Sequence, residues 1–255
     1  MQNDPKQRLI LALDVSDFDE ARRLIDRLGD AVEIYKVGYQ LFVAYGPFVV
    51  RYLQAQGRKV FLDLKFHDIP NTVSNALSSA VGLSVPPHDA LKADGQSLGR
   101  FAPLFMATVH TQGGAEMMKA AAEAARKRAA ELKVDRPLVV GVTVLTSDAA
   151  TEATAGLVLD RARLAKESGL DGVVASVKEA AMLRREMGKD FVIVTPGIRP
   201  AEGAGSEAGD QKRVDTPAGA IKNGSSFLVV GRPIVKAADP KSAAESILSE
   251  IAAAL

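Results

Sequence analysis

The chain has 255 residues, 47% of them hydrophobic, and its 32 basic and 31 acidic residues leave a net charge of +1. That balance excludes a broad electrostatic field for nucleic acid or an anionic membrane, so any anion has to be bound locally. The absence of cysteine excludes disulfides, thiol nucleophiles and thiolate metal sites, and the polar start MQNDPKQR, with no apolar run long enough to span a bilayer, leads us to expect a cytoplasmic globular protein.

Short apolar runs recur along the chain. Strands are expected in RLILALD (8–14), EIYKVG (33–38), KVFLDLK (59–65), LFMATVH (104–110), PLVVGVTVL (137–145), DGVVASV (171–177), FVIVTPG (191–197) and SSFLVVG (225–231). Between them lie segments such as DFDEARRLIDRLGD, EMMKAAAEAARKRAAEL and KEAAMLRREMG, whose apolar residues repeat at helical spacing. Eight strands, each followed by a helix, imply a parallel sheet and predict a single-domain (β/α)8 TIM barrel. A doubly wound open sheet is the alternative, weakened because no GxGxxG follows the first strand.

Two stretches interrupt the alternation. SVPPHDALKADGQSLGR, within an unusual inserted segment at about 84–101, stands where a few residues would normally connect a helix to a strand. It reads as a surface loop. RPAEGAGSEAGDQKR (199–213) follows the seventh strand, rich in glycine, alanine and charge. Its start at a strand's C-terminal end makes it a candidate active-site lid, beside the plainer reading of a passive loop.

In such barrels the chemistry sits at the C-terminal ends of the strands. Asp14, Lys36, Asp63, Lys65, His110, Thr146, Arg199 and Arg232 all fall there, whereas strand starts carry far fewer candidates. The densest group is FLDLKFHDIP (61–70). Alternation along a strand puts Asp63 and Lys65 on one face and Leu62, Leu64 and Phe66 on the other. With Asp63 and Asp68 flanking it, Lys65 is expected to remain an ammonium, which argues against a Schiff-base lysine and suits a proton donor or a stabiliser of a developing carbanion. Lys36 adds a second cation to this near-neutral set. A structural ion-pair network is the plain alternative. Asp63 and Asp68 as metal ligands, with His67 between them, rank lower because an ammonium between the carboxylates competes with a cation.

TPGIR (195–199) and VVGR (229–232) each place a glycine and an arginine just after strands seven and eight. Barrels often bind phosphate there, using backbone N–H groups and a basic side chain. Either motif alone is weak. Together they point to phosphate.

The motifs FLDLKFHDIPNT, IYKVG, VTVLTS, TPGIR, EAGDQKR and VVGRPI together resemble the orotidine 5'-monophosphate decarboxylases of the bacterial type, over a span from residue 12 to the last strand. The resemblance implies conversion of orotidine 5'-monophosphate to uridine 5'-monophosphate and carbon dioxide, without metal or organic cofactor, by a homodimer with shared active sites. It implies Lys65 as proton donor to C6 of the pyrimidine, with Asp63 facing the departing carboxylate in a Lys-Asp-Lys-Asp charge network. By the same resemblance Lys36 and Asp14 hold the ribose hydroxyls, Asp68 and Thr72 reach into the partner's site, and Thr146 touches the pyrimidine amide. Gln211, Gly231 and Arg232, with Arg199 assisting, take the phosphate. TVHTQGG stands where NVHASGG is expected, a mild departure, and the segment at about 84–101 is a larger one. The competing readings are a metal-dependent sugar-phosphate decarboxylase or aldolase of the same superfamily, which shares DxKxxD, and a catalytically silent nucleotide-binding barrel.

Overall fold

The structure is a computed structural model that describes residues 4–86, 101–145, 152–200 and 215–255. Eight parallel strands close into a barrel in chain order: β1 (Leu9–Ala12), β2 (Ile34–Gly38), β3 (Lys59–Phe66), β4 (Leu104–His110), β5 (Leu138–Val142), β6 (Gly172–Val174), β7 (Val192–Pro196) and β8 (Phe227–Val230). Closure is direct, with Leu9, Ile10 and Leu11 of β1 in register with Leu228, Val229 and Val230 of β8. The expected barrel is therefore the observed one, and among the described residues no strand edge is left unpaired.

Strand alternation divides the core in two. Ile10, Ala12, Ile34, Phe61, Met106, Val140, Val192, Val194, Phe227 and Val229 form one cluster inside the barrel. The residues between them, among them Leu9, Leu11, Tyr35, Val37, Leu62, Ala107, Ile193 and Leu228, face outward into a second cluster with the helices. Helix α1 (Phe18–Leu28) shows how the outer layer is built. Asp17 caps it by accepting from the Glu20 N–H at 2.8 Å, and Ala21, Leu24, Ile25 and Leu28 make the buried stripe. Each of its larger aliphatic side chains contributes about 1.5–3 kcal/mol by burial.

The two ends of the barrel differ in chemistry. At the N-terminal end, arginines are taken up by structural contacts. Arg136 forks onto Asp171 at 2.6 and 2.8 Å, and Arg184 donates to the carbonyls of Gly188, Lys189, Phe191 and Gly224. At the C-terminal end the inward series, continued two residues past the apolar layer, delivers Asp14, Lys36, Asp63, Thr108 and Gly231. The inward series thus brings carboxylates and ammonium groups together at the C-terminal end of the barrel.

Candidate active site

A cavity of about 560 Å³ opens at that end, lined by Asp14, Lys36, Asp63 and Lys65 on one side and by Arg199, Gly231, Arg232 and Lys236 on another, with Val142, Val174 and Val194 among its apolar walls. Its volume is in the range that holds a small organic ligand.

The charges alternate. Lys36 Nζ lies 3.0 Å from Asp14 Oδ1 and 3.6 Å from Asp63 Oδ2, while Lys65 Nζ lies 3.0 Å from each oxygen of Asp63. Side-chain exposure falls from 55% at Asp14 to 12% at Lys36 and 13% at Asp63, then rises to 26% at Lys65. The network therefore runs from solvent into shielded space and back to the cavity. Gly38 makes room for it, since a Cβ there would come within 3.0 Å of the Lys36 ammonium. Tyr39 lies against the same group. Its ring is 5.4 Å from Lys65 Nζ, its hydroxyl donates to the Leu64 carbonyl at 2.7 Å, and burial first, then Asp63, raises its pKa.

Among the described residues Lys65 forms its ion pair with Asp63 alone. Asp68, expected on its other side, is exposed and accepts from the Ile69 N–H at 2.7 Å. The second carboxylate of the alternation is Asp14. Thr72 is also exposed, and His67 through Thr72 form an unbroken exposed run on the rim, with Ile69 at 66% exposure.

On the opposite rim Gly197 adopts φ 83°, a conformation natural to glycine, and turns the chain after β7. The Arg199 N–H then donates to the Asp215 carbonyl at 3.0 Å, fixing the backbone that carries the guanidinium. Gly231 caps the short helix Arg232–Val235, and a Cβ there would stand 3.4 Å from that of Ala12. Thr146, Gln211 and most of the segments 84–101 and 199–213 lie outside the described residues. Sequence reasoning missed Thr108, Tyr39 and Lys236. Lys236 was detectable as the residue one helical turn beyond Arg232, and Thr108 as an inward position of β4, two before His110.

The model of the orotidine 5'-phosphate decarboxylase / HUMPS family matches residues 7–247. The chain belongs to this family. It is 44% identical to an orotidine 5'-phosphate decarboxylase of Moorella thermoacetica, over 96% of this chain and 92% of that protein. It is 45% identical to the one of Syntrophotalea carbinolica, over 99% of this chain and 98% of that protein. Among solved structures it is similar to a crystal structure of orotidine 5'-phosphate decarboxylase from Lactobacillus acidophilus, with a TM-score of 0.77, 36% identity and coverage of 96% of this chain and 99% of that one. The family match takes in every strand of the barrel and all four residues of the charge network.

Proposed function

We propose that this chain decarboxylates orotidine 5'-monophosphate to uridine 5'-monophosphate and carbon dioxide, as a cytoplasmic carboxy-lyase of pyrimidine biosynthesis. The observation that carries the reading is the Lys65 ammonium, held 3.0 Å from both oxygens of Asp63 at the wall of a cavity whose other rim is cationic. Breaking the bond from C6 to the carboxylate leaves an electron pair on C6 that the ring does not delocalise. A fixed ammonium beside C6 stabilises that charge as it develops. Lys65 then gives its proton to C6, and solvent reprotonates the amine. Asp63 faces the departing carboxylate, and their repulsion is relieved as carbon dioxide leaves.

Lys36 and Asp14 hold the ribose hydroxyls, and Thr146 meets the pyrimidine amide. Gly231, Arg232 and Gln211, with Arg199, grip the phosphate, a remote contact whose binding energy can be used at the reacting carbon. The working unit is a homodimer in which Asp68 and Thr72 enter the partner's site. The exposed run from His67 to Thr72, with the apolar Ile69 in it, supports that reading. A metal-dependent mechanism is disfavoured because the Asp63 oxygens already face Lys65 and Lys36, where a divalent cation would meet two ammonium groups.

The test is turnover of orotidine 5'-monophosphate, followed as carbon dioxide release, before and after exhaustive treatment with EDTA. Full activity after chelation is expected. Loss with recovery on adding magnesium would move the chain to the metal-dependent branch, and no turnover at all would make it a silent nucleotide-binding barrel.

A further inference from the structure

Strands β3 and β4 fall out of step where the charges sit. Leu62 is in register with Ala107 and Phe66 with Val109, so β3 advances four residues while β4 advances two. The surplus is the Asp63–Leu64–Lys65 stretch, and Thr108 alone stands opposite it. Bulges of this kind remove ladder partners and re-aim side chains. Here Lys65 takes φ 44°, a left-handed conformation that costs energy in a residue with a Cβ. Such a conformation persists only where its surroundings hold it. The Leu64 carbonyl is held by the Tyr39 hydroxyl, and the Lys65 N–H donates to Thr108 Oγ1 at 2.7 Å. The same hydroxyl donates onward to Asp63 Oδ1 at 3.1 Å. Thr108 is fully buried, so no bulk water competes for either bond.

We infer that Thr108 is a positioning residue for the decarboxylation: its hydroxyl locks the β3 bulge so that Asp63 and Lys65 present their charges to the reacting carbon together. This inference rests on the reading of Lys65 as the proton donor and adds to it a side chain on the neighbouring strand. One oxygen ties the backbone of the proposed acid to the carboxylate that acid faces. Valine matches threonine in shape but offers neither bond. It would leave the Lys65 N–H unpaired and Asp63 free to turn about its side-chain torsions. The loss falls on alignment at C6 and not on the distant phosphate grip, so it should appear in kcat and hardly in KM.

The experiment compares Thr108→Val, Thr108→Ser and Lys65→Ala with the unaltered protein, measuring kcat, KM and the number and affinity of uridine 5'-monophosphate sites by calorimetry. For Thr108→Val we expect kcat per nucleotide site to fall roughly 100-fold, with KM and nucleotide affinity nearly unchanged, and for Thr108→Ser recovery of most of the rate. Unchanged kcat in Thr108→Val overturns the inference. So does a loss of rate matched by a loss of nucleotide sites, which would make Thr108 merely structural, and so does failure of the serine variant to recover the rate. Should the valine variant not fold, Thr108→Ala is read by the same criteria. Lys65→Ala separates the two levels. If it keeps its turnover, the proton-donor reading itself fails; if it is inactive while Thr108→Val is normal, only the role of Thr108 is lost.

Discussion

At the scale of single residues, the phosphate assignment rests most heavily on Arg232, which follows Gly231 at the rim of the cavity. A hydrogen bond from a guanidinium to phosphate is charge-assisted and worth roughly 1.5–3 kcal/mol. Arg232→Ala should therefore weaken kcat/KM for orotidine 5'-monophosphate about 10- to 100-fold while leaving that for the phosphate-free nucleoside nearly unchanged. Equal losses on the two substrates would assign Arg232 to structure. The charged residues were legible in the sequence for a physical reason. Asp63 and Lys65 sit on a strand whose other face is buried, and charge in that setting demands a partner. Their meeting with Lys36 and Asp14 followed from strand ends alone. Thr108 was not legible, because threonine is ordinary in a strand and the bulge it faces depends on register between two strands about 45 residues apart. Asp68 reads differently in the chain and in the structure, because among the described residues only the next backbone N–H donates to its carboxylate.

At the scale of elements, strand existence was legible and strand ends were not. DGVVASV reads as a strand throughout, yet β6 stops at Val174 because Ser176 and Glu179 form a capping box that starts the helix Val177–Met187. The signal, a serine followed three residues later by glutamate, was in the sequence. PLVVGVTVL likewise overran β5, which ends at Val142, after which the Thr143 hydroxyl donates to the Val174 carbonyl at 2.8 Å. The end of β4 carries a titratable pair. The His110 ring stacks on His67 with centroids 5.5 Å apart, and its Nδ1 accepts from the Gln112 N–H. Burial, then His67, Arg161 and Lys65, lowers the pKa of His110. A histidine that binds its proton less readily folded than unfolded contributes stability above the unfolded value, and loses it as pH falls from about 6.5 toward the folded value. The urea midpoint at fixed protein concentration should thus drop between about pH 7.5 and about pH 5.5. His110→Asn keeps an acceptor for the Gln112 N–H but does not titrate, so it should flatten that drop. An equally steep drop in the variant would place the acid sensitivity elsewhere.

At the scale of the whole molecule, eight alternating units made the barrel legible, because a parallel sheet needs covered faces and a closed one needs no edges. The assembly is not written in one chain's contacts, and there the prediction is sharpest. Asp68 stands three residues beyond Lys65, on the exposed rim, without an ion-pair partner among the described residues of its own chain. If it serves the partner's site, Lys65→Ala and Asp68→Ala should each be nearly inactive alone, because both sites of either homodimer then lack one of the two residues. A mixed dimer would then hold one site with both defects and one with both native residues. With free exchange half of the dimers are mixed and half of their sites are intact, so about a quarter of all sites should regain activity. The measurement is turnover after co-refolding equal amounts of the two variants, with mixed dimers confirmed by differential tags and each variant refolded alone as the baseline. Activity equal to the mean of the two baselines, although mixed dimers have formed, would place Asp68 within its own subunit's chemistry. Recovery near a quarter would assign the exposed rim of one chain to the active site of the other.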